Sequence, residues 1–216
     1  MAFGEVGTAL SKIKSPAVNL ADTFAFSGTV TGFDKTSLTL LSTFTSDGSD
    51  ANATFNSSLI TSTFDEYLFI FNNIHPQTDS KYFEFHPSID NGSNYNIAKT
   101  TTLFSAEHNE DGSAANVYYG ASGDLAEGTG GQRLTYDGLG ADADQSVSGI
   151  LRLYNPSSTT FVKHFTGNFS MSSGGNSVFS VFIAGYANTT SAVNNVKFQM
   201  SSGEIQGGTI SLFGVA

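Results

Sequence analysis

Residues 64–96, FDEYLFIFNNIHPQTDSKYFEFHPSIDNGSNYN, constrain the fold more than any other stretch of this chain. They hold two apolar runs, residues 67–71 and 82–85, on either side of a polar segment that contains Asn, Asp and Pro. In the second run Phe83 and Phe85 alternate with more polar neighbours, a period of two that indicates a half-buried strand. The first run is apolar on both faces, which predicts a central strand covered on both sides. The sequence therefore predicts a β-hairpin at the core of a β domain.

The rest of the chain repeats this pattern of short apolar runs between turns rich in Gly, Asn and Ser. Further strands are predicted at residues 24–30, 37–45, 54–60, 94–104, 147–154, 161–171, 178–186, 193–201 and 208–215. The absence of a repeat of fixed period disfavours a solenoid or a propeller. About ten strands of this kind predict an all-β fold, an antiparallel two-sheet sandwich that forms a single domain over residues 23–216.

Two of the C-terminal strands carry predictions about their neighbours. In residues 161–171 the side chains of Phe161, Phe165, Phe169 and Met171 share a face with Lys163, so the lysine is expected near an edge of the sheet. Residues 178–186 are apolar on both faces, which predicts a strand that is covered on both sides.

The middle of the chain is the least regular part. Gly-rich and acidic segments at residues 107–111, 121–131 and 137–145 frame only a short apolar run at residues 117–119. They predict long surface loops on a scaffold, where binding surfaces usually lie. A linker between two domains is the alternative.

Charge and cysteine usage exclude several kinds of partner and site. Only 13% of the residues are charged, yet 19 acidic against 9 basic residues give a net charge of −10. This balance argues against nucleic acid and against an anionic membrane surface as partners, because both require clustered Lys and Arg. The absence of cysteine excludes a disulfide framework and a thiolate metal site. With no secretory signal pattern and no run of ~18 apolar residues, we expect a soluble protein made in the cytoplasm.

Residues 1–22 differ from the rest and are expected to form an N-terminal arm. Apolar residues spaced three or four apart would share one face of a short helix that ends at a proline; they are Phe3, Val6, Leu10 and Ile13. Lys12 and Lys14 add the only closely spaced lysine pair of the chain. Two interpretations stay open: a terminus that packs on its own domain, or an arm that attaches to a partner.

No arrangement of catalytic residues is evident. Asp65 and Glu66 are adjacent, and adjacent residues of a strand point to opposite faces, so they cannot work together as acid and base. The chain has no G-x-S-x-G nucleophile motif and no cysteine. We therefore expect no enzymatic activity and no cofactor.

Metal binding is also not predicted, although calcium remains an open alternative. Acidic loops at residues 47–50 and 142–144 offer oxygen ligands, but neither has the spacing of an EF-hand. His75 and His86 flank the predicted hairpin, and a zinc site there would need a third ligand. We interpret the two residues as a loop histidine and a strand-end histidine.

Three tyrosines form the candidate for ligand contact. Tyr118, Tyr119 and Tyr136 lie beside loops rich in Asn, Asp and Gly. An aromatic platform with polar neighbours is what a glycan needs. Tyrosines of cores and protein interfaces share this pattern, so the structural interpretation stands beside the glycan one.

Three segments resemble a known family. Residues 64–96 combine an EY-aromatic-apolar strand with NNIHP and a turn ending in SNYN, residues 151–160 read LRLYNPSSTT, and residues 202–215 read SGEIQGGTISLFGV. These segments resemble jelly-roll virion structural proteins of tailed bacteriophages, including capsid decoration proteins and fibre-type surface proteins. The resemblance implies a jelly-roll topology and a place in the virion.

The expected function follows from this resemblance. A fibre normally has a long repetitive shaft, which ~20 residues ahead of the β domain do not supply. We therefore expect a non-enzymatic capsid decoration or cement protein, made in the host cytoplasm, that contacts other virion proteins such as the major capsid protein. The alternative is a short tail-attached or fibre-type receptor-binding module that recognises host surface glycans. Phe-rich strands with two apolar faces predict self-association, as a homotrimer.

Overall fold

The computed structural model describes residues 37–216, and this part of the chain consists of twelve β-strands joined by turns and loops, without a helix. The strands are Leu38–Thr45 (β1), Ala53–Phe55 (β2), Glu66–Pro76 (β3), Phe83–Ser88 (β4), Lys99–Asn109 (β5), Ala115–Tyr119 (β6), Gln132–Arg133 (β7), Val147–Tyr154 (β8), Lys163–Ser172 (β9), Ser177–Ala187 (β10), Asn195–Met200 (β11) and Ile205–Val215 (β12). Residues 37–216 thus include no helix that is long and apolar enough to cross a membrane. The strands form two antiparallel sheets of eight and four strands, so the predicted all-β, two-sheet sandwich is confirmed.

Eight of the strands are connected as in a jelly roll. β1, β12, β3 and β8 lie side by side in the large sheet, while β2, β11, β4 and β7 form the small sheet. Among these eight, the first strand pairs with the last, the second with the second-last, and so on inward, as if one long hairpin had been rolled up. The remaining strands β9, β10, β5 and β6 continue the large sheet beyond β8.

The predicted hairpin between residues 67–71 and 82–85 is wrong. β3 belongs to the large sheet and β4 to the small one. The strands face each other across the core, with the rings of Phe71 and Phe83 in edge contact at 5.6 Å between centroids. Residues 77–82 are long enough to carry the chain from one sheet to the other, whereas most hairpin turns take about two to five residues.

A cluster of phenylalanines fills the space between the sheets. Phe198 of β11 is fully buried, and five other rings lie with their centroids 5.0–6.1 Å from its own. They belong to Phe55, Phe69, Phe71, Phe83 and Phe85. Because these rings come from both sheets, Phe198 is the point at which the sandwich is held together.

β3 and β12 share a bulge at which two of the sequence motifs meet. The register of β3 against β8 shifts between Phe71 and Ile74, and Asn73 has a φ of 50°. On the other side, β12 is irregular around Gly208, whose φ is 104°. A Cβ on Gly208 would lie 2.5 Å from the Asn73 carbonyl oxygen, so only glycine fits there. The NNIHP and QGGT segments are therefore complementary halves of one structural feature.

Two lysines are buried in the large sheet, and one of them corrects a prediction. β9 lies between β8 and β10, so Lys163 is not near an edge. Lys163 is fully buried and its Nζ donates hydrogen bonds to two backbone carbonyl oxygens. Lys99 of β5 is equally buried and donates to the carbonyl oxygen of Ile97 at 2.8 Å. Burial lowers the pKa of both lysines, that of Lys99 to about 8.

Part of the middle segment covers the inner face of the large sheet where β9, β10, β5 and β6 extend it; we call this part the widened sheet. Leu134 and Leu139 are fully buried, and the ring of Tyr136 stacks on Phe179 of β10 at 5.3 Å. The prediction of surface loops describes residues 121–131, which are mostly exposed, but is wrong for residues 138–140, which are buried. The chain needs this cover because the added strands present apolar side chains on their inner face.

Candidate functional site

The predicted attachment residues lie outside the described residues. This applies to the whole set Phe3, Val6, Leu10, Lys12, Ile13 and Lys14, and also to the strand predicted at residues 24–30. Both remain predictions.

Of the three candidate tyrosines, the structure brings two together. Tyr118 and Tyr136 stack at 5.4 Å between ring centroids. Tyr119 follows Tyr118 in β6 and therefore points to the other face of the sheet, where it is 60% exposed. Tyr136 also stacks on Phe179 of the core. The rings of Tyr118 and Tyr136 therefore extend the core toward the edge of the sheet. Tyr118 and Tyr136 are half-buried and Tyr119 is exposed on the other face, so the three do not form one platform.

The hydroxyl groups of Tyr118 and Tyr119 bind carboxylates of the same protein. Tyr118 donates to Glu107 Oε2 at 2.8 Å, and Tyr119 donates to Asp124 Oδ2 at 2.7 Å. Each hydrogen bond stabilises the neutral phenol and raises its pKa. These carboxylates therefore hold β6 and the following loop in place.

The acidic side chains of the loop at residues 47–50 and the two histidines make contacts within the protein. Asp47 Oδ1 accepts hydrogen bonds from the backbone and hydroxyl of Ser49, both at 3.0 Å, which lowers the pKa of Asp47. His75 Nε2 donates to the backbone oxygen of Asp142 at 2.9 Å, and His86 lies in the other sheet. Within residues 37–216 no group of three or more His, Cys, Asp or Glu side chains is placed to hold a metal ion.

The DNGSNYN motif closes the turn that leads out of β4. Asp90 accepts hydrogen bonds from Ser88 Oγ at 2.7 Å, from the Asn94 backbone at 2.8 Å and from Asn94 Nδ2 at 2.7 Å. These bonds, those of Asn94 foremost, lower the pKa of Asp90 to about 2. Asn91 and Gly92 have φ values of 59° and 87°, as a tight Asn-Gly turn requires. The motif therefore has a structural role in turning the chain from the small sheet toward the large one.

The least explained surface is the outer face of the widened sheet. We define the outer face as the side chains of β5, β6, β8, β9 and β10 that point away from the four-stranded sheet. One row crosses these strands through hydrogen-bonded neighbours, in the order Ile150, Asn168, Phe182, Phe104 and Tyr119. The prediction that residues 178–186 are covered on both sides is therefore wrong, because Phe182 is 40% exposed on this face.

A groove runs along the outer face above β9. Phe104 and Phe182 stack at 5.0 Å with their planes 10° apart and form a ridge on one side of the groove. Ile150 lines the opposite side, while Thr166 and Asn168 of β9 form the floor. The groove has a volume of about 370 Å³ and is lined mainly by apolar atoms. A shallow apolar groove beside an aromatic ridge is a surface suited to docking rather than to chemistry.

The outer face is also nearly free of charge. The five strands that form it contain one acidic residue, Glu107, which points inward and binds Tyr118. The one arginine of this face, Arg152, is paired with Glu66 of β3. In a chain with a net charge of −10 this is an uneven distribution. It leaves a neutral, partly apolar surface on an acidic protein.

Sequence reasoning missed Phe104 and Phe182 for an identifiable reason. Residues 178–186 are apolar on both faces, which predicts a strand buried on both sides and leaves no exposed position for Phe182. The signal was present in the neighbouring strand, where the outward positions of β9 are His, Thr, Asn and Ser. Such residues are more often exposed than buried, which indicates a solvent-facing surface beside Phe182.

Comparison with known proteins adds no family assignment: no protein-family model, no curated protein and no solved structure matches this chain.

Proposed function

We propose that this chain is a non-enzymatic structural protein of a tailed-bacteriophage particle, and specifically a capsid decoration or cement protein on the particle surface. One observation carries the proposal. The segments that resemble phage virion proteins lie far apart in the sequence but contribute the adjacent strands β12, β3 and β8 of the large sheet. The resembling segments therefore meet in the folded domain, although residues 64–96 also contribute β4 to the small sheet.

The roles of the motif residues support a structural function. The Asn-Asn and Gly-Gly pairs form the bulge shared by β3 and β12, and Asp90 holds a turn. In the NPSS segment, Ser157 Oγ donates to the Thr61 carbonyl oxygen at 2.7 Å and so ties the end of β8 to the loop before β3. Residues that are used in this way preserve a shape, which is what a particle-surface protein has to supply.

Attachment to the particle is assigned to the N-terminal arm, residues 1–16. Burying Phe3, Val6, Leu10 and Ile13 would contribute roughly 6–10 kcal/mol before ordering costs, at about 1.5–3 kcal/mol each. Ordering the arm offsets much of this, so one arm alone would bind weakly and several arms in an oligomer would bind with avidity. Lys12 and Lys14 would add contacts to acidic groups of the major capsid protein or another virion partner.

Deletion of residues 1–16 tests this function. The truncated protein is expected to keep its melting temperature and its oligomeric state, but to lose binding to particles prepared without the protein. The control is the full-length chain added to the same particles, with bound protein measured after sedimentation. Undiminished binding of the truncated protein would contradict attachment by the arm. A copy number per particle far below that of the major capsid protein would contradict the decoration role.

The alternative function is a short tail-attached, glycan-binding receptor module. It is favoured by the exposed ring of Tyr119, whose neighbour Asp124 offers a carboxylate beside it. A glycan array probed with the wild type and with Tyr119→Ala tests this alternative. Binding that Tyr119→Ala abolishes would support the receptor module against the decoration protein.

A further inference from the structure

We infer that the outer face of the widened sheet binds the same face of a second copy of this chain. The observation behind this inference is the combination of a neutral surface, an exposed aromatic ridge and an adjacent groove on one sheet. The inference stands independently of the proposed function, because it uses only the chemistry and shape of the described residues.

Charge favours a second copy over other partners. A face that carries a net charge of one sign is repelled by its own copy, because like charges that approach each other destabilise the contact. The outer face avoids this penalty, since Lys99 and Lys163 of its strands are buried, Glu107 points inward, and Arg152 is paired with Glu66. A protein of net charge −10 would otherwise repel itself. A basic partner, in contrast, would be expected to select acidic residues on its docking face.

The shape of the outer face also favours a second copy of the chain as its partner. The stacked rings of Phe104 and Phe182 project beside the groove, and they are 47% and 40% exposed. The groove volume of about 370 Å³ is more than twice the roughly 150 Å³ of an apolar cavity that holds one benzene ring. Two phenyl rings from a second copy would therefore fill it. Around this centre, outward Ser, Thr and Ala side chains let two sheets approach to the usual separation of about 10 Å.

The symmetry of such a contact predicts a dimer. A surface that binds itself is related by a two-fold axis and closes after two copies, whereas a closed trimer needs two different surfaces. With the axis near the groove, the ridge of each copy enters the groove of the other. The homotrimer predicted from the sequence stays a prediction, and the mass of the assembly distinguishes the two.

Light scattering of the full-length protein over a range of concentrations tests the inference. We expect the wild type to have the mass of a dimer and Phe182→Asp to weaken dimerisation by more than about tenfold, because a carboxylate would be buried without a partner. The matched control is Phe161→Asp. Phe161 is 69% exposed but precedes β9 and does not line the groove, so this variant should remain a dimer.

A second variant and a proximity probe distinguish a loss of dimerisation from misfolding of the Phe182→Asp variant. Thr166→Lys places a charge on the exposed floor of the groove without removing a ring, and it should also yield monomers with an unchanged melting temperature. Since the chain has no cysteine, Asn168→Cys offers a single thiol for pyrene. Excimer emission is expected from this label but not from one on Ser57→Cys, an exposed site after β2.

Three results would overturn the inference. They are a wild type that is monomeric at every concentration, an oligomer that neither Phe182→Asp nor Thr166→Lys affects, and a labelled Asn168→Cys variant that gives no excimer although the protein is dimeric. Binding of the outer face to a different protein in preference to its own copy would also overturn it.

Discussion

Replacing Lys99 by methionine should reveal a buried charge through the pH dependence of stability. Lys99 is fully buried, and the only described hydrogen bond of its side chain goes to the carbonyl oxygen of Ile97. Burial without a carboxylate partner lowers its pKa from 10.5 to about 8. The ammonium group is therefore less stable in the folded protein than in the unfolded chain.

The direction and the size of the effect follow from this pKa. Between about pH 8 and 10.5 the unfolded chain holds a proton on Lys99 that the folded protein has lost, so stability rises with pH in this window. The fall in pKa from 10.5 to about 8 corresponds to about 3 kcal/mol at roughly 1.36 kcal/mol per pKa unit. The Lys99→Met variant cannot gain this stability. It should be more stable than the wild type at neutral pH, by less than the full amount because the hydrogen bond to Ile97 is lost, at about 1 kcal/mol.

Urea unfolding of both proteins at several pH values measures the effect. The stability of the wild type relative to Lys99→Met should rise by about 3 kcal/mol from neutral pH to about pH 11, with the change between about pH 8 and 10.5. Lys163 and the tyrosines with raised pKa values are present in both proteins, so their contributions largely cancel. A difference that stays constant with pH would refute the reasoning, because Lys99 would then keep its solvation in the folded state.

Three further changes test the fold. Phe198→Ala should lower the free energy of unfolding by about 3–5 kcal/mol, because it removes the ring that joins both sheets, while Phe161→Ala should change it by less than about 0.5 kcal/mol in the same urea titration. Gly208→Ala should cost about 1–3 kcal/mol in thermal unfolding, since it adds a Cβ at positive φ against the Asn73 carbonyl, and an unchanged melting temperature would contradict the bulge geometry. Asp90→Asn should lower stability at neutral pH, and its difference from the wild type should shrink as the pH falls from the ordinary carboxyl pKa of 3.8 through about 2.

The sequence was sufficient to predict most of the strands but not how they pair. β6 and β7 were not predicted, and the strand predicted at residues 94–104 lies at Lys99–Asn109 (β5). Period-two alternation located β8 at its observed bounds and β10 within a residue at each end, because alternation is a local consequence of one buried face. Pairing depends on contacts between distant segments. The runs at residues 67–71 and 82–85 looked like a hairpin because they are neighbours in sequence, yet they lie in different sheets. Nothing local distinguishes a turn within one sheet from a crossing between two.

Burial was predicted incorrectly for residue types that can be accommodated either at the surface or in the interior. A lysine in an apolar strand was expected at an edge, where its charge reaches water, but Lys163 reaches backbone carbonyl oxygens instead. The tyrosines illustrate the same limit. Tyr118 and Tyr119 are adjacent and chemically identical, and only the position of the sheet's inner face decides that the first packs and the second stays exposed.

The added strands explain why the outer face exists at all. In an eight-stranded jelly roll the two sheets have equal numbers of strands and cover each other's inner faces. Here β5, β6, β9 and β10 extend one sheet only, so part of the middle segment, with Leu134, Leu139 and Tyr136, has to cover their inner side. Every residue of the aromatic ridge and of the groove floor lies on these added strands. The same extensions that require an extra cover inside therefore supply the proposed dimer surface outside, and a jelly roll without them would have neither.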